Sequence, residues 1–163
     1  MATRLVLILT FLCFSFGCSS QSPVTSTSVK IGGESFTLEL SVNQEKRVSG
    51  MMHREEIPKH TGMLFVFPDS TERSFWMKNC LVDIDIMFLD SRGTVISTYT
   101  MTIEPAKRAD ETDWDYESRL TNYWSNGPAR FAIELAAGSI DRLGVHINDQ
   151  IPLDLPYLRS LAR

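Results

Sequence analysis

Apolar and polar residues alternate along several short segments of the chain, which is the pattern of β-strands with one buried face. The clearest examples are residues 35–42 (SFTLELSV) and residues 129–136 (ARFAIELA). Three runs rich in aromatic and branched residues predict further strands at residues 62–67, 75–82 and 84–89. These patterns predict an α+β fold, mainly β, in a single compact domain of short antiparallel strands with one or two short helices.

Turn and capping residues predict how these strands are connected. Residues 90–93 (DSRG) place a glycine where a positive φ is favourable, so strands 84–89 and 94–101 should form a hairpin. Asn43 has the side chain of a helix N-cap, Glu45 follows in the first turn, and Gly50 should end that helix. Two more elements are predicted nearer the C-terminus: helical turns at residues 138–144 and a last short strand at 151–155.

The N-terminal segment has the pattern of an export signal. Arg4 precedes an apolar run from Leu5 to Phe16, which is too short to span a bilayer core that needs about 20 helical residues. We predict a signal peptide at residues 1–17, lipidation of Cys18, and a flexible tether at 18–29, where the residues are small, polar and nearly uncharged. The domain would then occupy residues 30–163.

Two other interpretations of this segment stay open. Ser15 stands where lipoprotein signals usually have leucine, so ordinary secretion with a free Cys18 is one alternative. A plain membrane anchor formed by residues 1–17 is the other. If Cys18 is lipidated, Ser19 supplies no acidic inner-membrane retention signal, which favours the outer membrane in a diderm host, facing the periplasm or the cell surface.

Charge and cysteine content limit which partners and which disulfide bonds the domain can have. The net charge of −4 argues against nucleic acid as a partner. With Cys13 in the signal and Cys18 assigned to lipid, Cys80 is the single remaining cysteine, so no internal disulfide is predicted. We expect Cys80 to be a buried small residue within a strand rather than a reactive thiol.

Six sequence blocks match a known family in order and spacing. They are residues 50–54 (GMMHR), 62–67 (GMLFVF), 75–79 (FWMKN), 85–90 (DIMFLD), 134–138 (ELAAG) and 144–149 (GVHIND). In these blocks the chain resembles the domain of unknown function 192 (DUF192) family, over roughly Phe36 to Leu153. The resemblance implies a compact, mostly β fold and frequent export or lipid anchoring, and it implies no activity.

Three residues depart from the pattern of that family and add reactive side chains. His53 stands where an aromatic residue is usual, Cys80 where threonine is usual, and Asp83 where proline is usual. A hydrolase or acyl-transfer enzyme with Cys80 as nucleophile and His53 as base is therefore an alternative function, particular to this chain. It is disfavoured because no complete set of nucleophile, base and orienting group falls on one predicted face.

The main candidate site is a polar pocket for a small anionic or polyhydroxyl ligand. Its predicted members are Arg54, Trp76, Lys78, Asn79, Asp85 and Glu134. Asp85 interrupts an apolar run that should be buried on both faces, so its carboxylate needs a partner, and Arg54 or Lys78 is expected to supply it. That pocket is the functional interpretation of these residues, whereas the interpretation that we favour is a structural ion-pair network that braces the loop after Arg54.

Metal binding has weaker support. Acidic residues that could offer oxygen ligands to a cation such as calcium are Asp83, Asp85, Asp110, Glu111, Asp113, Asp115 and Glu117. No calcium-loop motif is present in the sequence, and His53, His60 and His146 lack the ligand spacing of a zinc site. A structural metal-binding domain therefore stays only an alternative, and no cofactor is predicted.

Residues 107–128 form a segment that the family usually crosses in fewer residues. This insert contains four aromatic residues among acidic and amide side chains: Trp114, Tyr116, Tyr123 and Trp124. Such composition suits carbohydrate or protein binding, although the aromatics can also fold back to cover the sheet. Taken together, the sequence predicts a non-catalytic envelope module that is anchored to the membrane through Cys18 and binds a small polar ligand or an envelope protein.

Overall fold

The computed structural model describes residues 25–162. Its strands are β1 (Ser26–Ile31), β2 (Glu34–Ser41), β3 (Thr61–Thr71), β4 (Ser74–Phe75), β5 (Ile84–Leu89), β6 (Val95–Met101), β7 (Tyr123–Trp124) and β8 (Ala129–Ala136). Its helices are α1 (Gln44–Ser49), α2 (Asp113–Ser118), α3 (Ser139–Leu143) and α4 (Leu155–Leu161). The predicted α+β, mainly β class is confirmed, with four short helices in the described chain instead of one or two.

A six-stranded sheet organises the molecule. Its strand order is β1-β2-β3-β8-β5-β6, and β4 and β7 pair separately in a two-stranded sheet. The pairs are antiparallel except that β2 and β3 are parallel, which the prediction of antiparallel strands missed. Two parallel strands start at the same end of the sheet, so the chain must return to that end between them. The connection between β2 and β3, which contains α1, makes this return.

Several local predictions are confirmed. The Asn43 side chain accepts a hydrogen bond from the Lys46 backbone N–H at 2.9 Å and begins α1, which Gly50 ends with a φ of 46°. Strands β5 and β6 form the expected hairpin, in which the carbonyl of Asp90 accepts from the Gly93 N–H. The strand at 129–136 and the helical turns after Gly138 are also present.

Two predicted strands are wrong. Only Ser74–Phe75 is a strand in the region predicted at 75–82, because the chain then turns at Lys78 and Asn79, where Asn79 has a φ of 54°. Residues 151–154 form no strand, and α4 begins at Leu155, with Asp154 as its N-cap.

The predicted tether also extends too far. Strand β1 begins at Ser26 and pairs with β2 through Val29 opposite Phe36, so residues 26–29 belong to the sheet. The predicted signal peptide and Cys18 lie outside the described residues. Within residues 25–162, no helix is long and apolar enough to cross a membrane.

The two faces of the large sheet are packed differently. Strand β8 directs Phe131, Ile133 and Leu135 to the first face, where α3 and α4 complete a continuous apolar core. The opposite, second face receives Phe65, Phe88 and Ala132, and is covered by the segment around Met77 and by part of the insert. Glu134 alternates with Ile133 and Leu135, so it points to this second face.

Candidate functional site: a cleft over Glu134

The candidate site is built around one buried carboxyl group on β8. Glu134 lies directly between Met63 on β3 and Ile86 on β5 in the sheet register, so its neighbours across both strands are apolar. Its side chain is almost fully enclosed, with the residue 5% exposed. Oε2 of Glu134 has no hydrogen-bond partner among the described residues. A buried carboxyl oxygen without a hydrogen-bond partner lowers the stability of the fold unless a ligand or water supplies the hydrogen bond.

An open cleft of about 490 Å³ reaches this carboxyl group. Phe65 and Phe67 of β3 form its base together with Glu134, and the walls come from the turn after α1 and from the segment after β4. The residues of those walls are Gly50, Met51 and Met52 on one side and Phe75, Trp76 and Cys80 on the other. The cleft therefore has aromatic and methionine side chains along its base and walls, with polar groups between them, and two acids line it: Glu72 and the buried Glu134.

Small residues on β8 make room for the cleft. On the second face, Glu134 has only Ala132 and Ala136 as its neighbours along the strand. Gly50 approaches from above: a Cβ at that position would lie 3.5 Å from the Phe65 ring and 3.8 Å from Oε2 of Glu134. The left-handed φ of Gly50 is what brings the turn after α1 so close to the carboxyl group.

Burial controls the protonation of Glu134. It raises the pKa of this carboxyl from 4.5 to about 8, and the positive charge of Arg54 opposes that increase only in part. At neutral pH the group is therefore mainly a neutral acid, which can donate as well as accept a hydrogen bond. A cation placed against it would favour the ionised form.

Cys80 is half-buried beside Glu134, and its environment suppresses thiolate formation. Burial, with a smaller contribution from the negative charge of Glu134, raises the pKa of this thiol to about 12. His53, the predicted base, is exposed and is not among the cleft-lining residues, and its backbone N–H donates to the Asn79 carbonyl. This geometry provides no activation of Cys80 as a nucleophile.

Two guanidinium groups lie at the other end of the cleft. They flank the Phe67 ring, with Cζ of Arg73 at 4.3 Å and Cζ of Arg47 at 5.7 Å from its centroid. Arg73 also binds Asp69, while its Nε is buried without a partner among the described residues. Arg47 donates to the Val66 carbonyl at 3.1 Å. The cleft thus has a cationic end with two guanidinium groups, where the carboxylate of Glu72 also lines it, and an acidic end at the buried Glu134.

The structure separates the six residues of the predicted pocket. Trp76 and Glu134 line the cleft, whereas Arg54 binds Glu39 through two hydrogen bonds of 2.6 and 2.8 Å. Lys78 forms an ion pair with Glu117 and lies over the Trp76 ring. The Asn79 N–H donates to the Tyr116 hydroxyl at 3.2 Å, so the turn at 78–79 is bound to the insert.

Asp85 belongs to the opposite face of the sheet. Its carboxylate is 1% exposed and accepts hydrogen bonds from the Thr100 hydroxyl at 2.7 Å and the Ile140 N–H at 2.8 Å. The expectation that Arg54 or Lys78 would be its partner is therefore wrong. Asp85 joins β5, β6 and α3.

The acidic residues considered for metal binding have other partners. Ion pairs join Glu111 to Arg119 and Asp113 to Lys107, while Asp115 completes the capping box of α2 with Thr112. Across residues 25–162, no group of three or more histidine, cysteine or acidic side chains is arranged to hold a metal ion.

The aromatic residues of the insert divide between core and surface. Tyr116 is buried, and the Tyr123 ring packs against Tyr99 with centroids 5.6 Å apart. Trp114 is 75% exposed, and Trp124 is also exposed although its strand β7 pairs with β4. Two of the four aromatics therefore fold back onto the protein, as one interpretation of the insert expected, and two face solvent, while binding of carbohydrate or protein by the insert stays a prediction.

Sequence reasoning missed the cationic end of the cleft. Arg47 lies on α1 and Arg73 follows β3, and no sequence pattern links the two arginines. The fold alone brings both side chains to the Phe67 ring. A sequence signal for the acidic end of the cleft was present, since Glu134 is an acid with an alanine two positions before it and another two positions after it in a buried strand. That pattern indicates a carboxyl group with space above it.

Comparison with known proteins supports the fold. The model of the DUF192 family, described as uncharacterized ACR, matches residues 27–153. A crystal structure from Sinorhizobium meliloti 1021, described as a "putative transcription regulator", is 25% identical with a TM-score of 0.63, covering 80% of this chain and 97% of that one. A protein of unknown function from Novosphingobium aromaticivorans is 24% identical with a TM-score of 0.65, covering 81% and 90% of the two chains. No curated protein matches this chain significantly.

Proposed function

This chain belongs to the DUF192 family, and from that premise we propose that it is an exported lipoprotein whose domain binds a small polar ligand, without catalysis, in the cleft over Glu134. Family membership supplies no activity, so the proposal depends on the site itself. The cleft has the size of small-molecule sites, about 490 Å³, and its lining combines aromatic and methionine side chains with charged and polar ones.

One observation carries the binding proposal. Oε2 of Glu134 is buried without a hydrogen-bond partner among residues 25–162, yet it faces a cleft that opens to solvent. Buried polar atoms in folded proteins nearly always have a hydrogen-bond partner. A ligand that forms the missing hydrogen bond with Oε2 explains this exception at the end of an open cleft. A non-catalytic role is supported by Cys80, whose thiol stays protonated at neutral pH.

Export and lipidation are supported by the sequence. Arg4, the apolar run at residues 5–16 and the Gly17-Cys18 pair form the pattern of a bacterial lipoprotein signal. The charge of −4 is consistent with a partner that is neither nucleic acid nor an anionic membrane surface.

A thermal-shift screen tests the binding proposal. The purified full chain, in mild detergent, is screened against amines, carboxylates, sugars, short peptides and cell-wall fragments. A ligand at about 100 times its dissociation constant stabilises by about 2.7 kcal/mol, which raises the melting temperature by several degrees. The shift should disappear in Glu134→Gln and persist in Glu55→Gln, which changes an exposed carboxylate outside the cleft. A shift that both variants keep would place the ligand elsewhere and reject this site.

A further inference from the structure

We propose that the ligand of the cleft is a short peptide with free ends, two or three residues long, which binds with its amino group at Glu134 and its carboxylate at Arg73. This inference rests on the proposed binding function and specifies its ligand. It follows from the opposite chemistry of the two ends of the cleft, from the distance between them, and from the apolar surface that joins them.

The acidic end selects a cation. Glu134 offers a carboxyl oxygen without a hydrogen-bond partner, and Phe65, Met51 and Cys80 lie around it. In these apolar surroundings an unpaired charge is poorly solvated. An ammonium group contributes three donors and a compensating charge, and aromatic rings around it add favourable cation–π contacts. Within residues 25–162, the groups whose charges act on Glu134 are Arg54, which is paired with Glu39, and Cys80, which stays protonated.

The other end selects an anion. The guanidinium of Arg73 is held in place by stacking on Phe67 and by its ion pair with Asp69, and its buried Nε lacks an acceptor within the described part of the chain. Guanidinium groups bind carboxylates through paired donors. A neutral polyol or a simple amine would leave this end unsatisfied, and a simple anion would leave Glu134 unsatisfied.

The strand register gives the length of the ligand. Glu134 is opposite Met63, and Phe67 is four residues further along β3, which corresponds to about 13 Å at roughly 3.3 Å per residue. A hydrogen bond of about 3 Å at each end leaves about 7 Å between the charges of the ligand. Extended peptides span about 3.3–3.6 Å per residue, so two or three residues fit, whereas both charges of a free amino acid lie too close together.

Proton release gives a specific signature of this binding mode. At neutral pH the Glu134 carboxyl is protonated, so an ammonium that binds as its ion partner displaces the carboxyl proton to the buffer while keeping its own three hydrogens. A peptide whose ammonium bound while the Glu134 carboxyl kept its proton, or whose N-terminus was acetylated, would release none. Calorimetry at pH 7 in buffers of different ionisation enthalpy counts that proton.

The experiment uses the full chain and a panel of synthetic di- and tripeptides built from alanine, leucine and phenylalanine. Each peptide is compared with its N-acetyl and C-terminal amide forms. We expect the free peptides to raise the melting temperature, each blocking group to lower affinity at least tenfold, and the tightest binder to release close to one proton.

Matched variants assign each end. Glu134→Gln should abolish both proton release and discrimination against N-acetyl peptides, while Arg73→Gln should abolish discrimination against the amides and Arg73→Lys should retain part of it. Glu55→Gln serves as the control and should behave as wild type. Equal binding of free and blocked peptides would overturn the inference.

Failure of the inference is distinguishable from failure of the binding function. If no peptide binds but another class of compound stabilises the wild type and not Glu134→Gln, the cleft is a ligand site and the peptide assignment is wrong. If neither peptides nor any other class depends on Glu134, both proposals are rejected.

Discussion

At the scale of single residues, Glu134 determines how stability responds to pH. Its pKa in the folded chain is about 8, above the value of 4.5 that it has when exposed, so the folded state holds this proton more tightly than the unfolded state. Below pH 4.5 both states are protonated and Glu134 contributes no pH dependence. As pH rises from 4.5 to about 8, the unfolded state ionises first and the free energy of unfolding falls, by several kcal/mol in total.

Glu134→Gln should remove this loss, because glutamine resembles the neutral acid and cannot ionise. We expect the variant and the wild type to melt at similar temperatures near pH 5, and the variant to melt several degrees higher at pH 8.5. Thermal denaturation between pH 5 and pH 9 measures this, with Glu55→Gln as the control that follows the wild type. Parallel curves for Glu134→Gln and wild type would contradict the assigned protonation.

Cys80 provides a second prediction at this scale. Because burial keeps its thiol protonated, we expect alkylation by iodoacetamide between pH 7 and pH 8 to be at least tenfold slower in the native chain than in urea. Mass spectrometry of the peptide containing Cys80 reports this residue separately from other cysteines. Rapid native alkylation that increases with pH near neutrality would restore the nucleophile hypothesis.

At the scale of elements, alternation was a reliable guide where a strand has a long partner and a poor one where it does not. Strands β2 and β8 pair along most of their length in the large sheet, and both form where the alternation predicts them. The burial of β2 follows the alternation, whereas β8 is buried on both faces, so the pattern predicted this strand but not the burial of Glu134. The segment after Phe75 is equally apolar, but its buried residue Met77 packs within a turn, and the left-handed Asn79 follows from tertiary contacts that no pattern shows. Arg47 and Arg73 escaped prediction for the same reason.

The contact between the insert and this turn can be tested directly. The Tyr116 hydroxyl accepts from the backbone N–H of Asn79, so Tyr116→Phe leaves a partly buried donor without its acceptor. We expect a loss of about 1–3 kcal/mol in the free energy of unfolding, measured by urea denaturation.

Trp114→Ala is the matched control within the same helix. Its side chain is mostly exposed, so the substitution should change stability by less than about 0.5 kcal/mol. If the two variants were equally stable, the insert would not be holding the turn beside the cleft.

At the scale of the whole molecule, the first face of the sheet supplies most of the apolar core, and the second face carries the cleft. The first face, closed by α3 and α4, is a continuous apolar core that contains large buried residues such as Phe36 and Phe131. Full burial of each such side chain contributes about 1.5–3 kcal/mol. That stability allows the second face to keep an open cleft and an unsatisfied acid, which are unfavourable for folding alone and useful for binding.

The start of the folded domain also bears on anchoring. Strand β1 begins at Ser26, eight positions after Cys18, so a chain attached at Cys18 would hold the domain within about 30 Å of the bilayer even if fully extended. A ligand captured in the cleft would therefore be captured close to the membrane surface.

Lipidation at Cys18 is tested by Cys18→Ala in the full chain. Acylation by several chains contributes about 0.8 kcal/mol per buried methylene and so gives stable membrane attachment. We expect the wild type to incorporate labelled palmitate and to enter the detergent phase, and Cys18→Ala to lose the label and remain a larger precursor, while Cys80→Ala behaves as wild type. An unlabelled, cleaved wild type would indicate ordinary secretion, and an unlabelled, full-length membrane protein would indicate an anchor formed by residues 1–17.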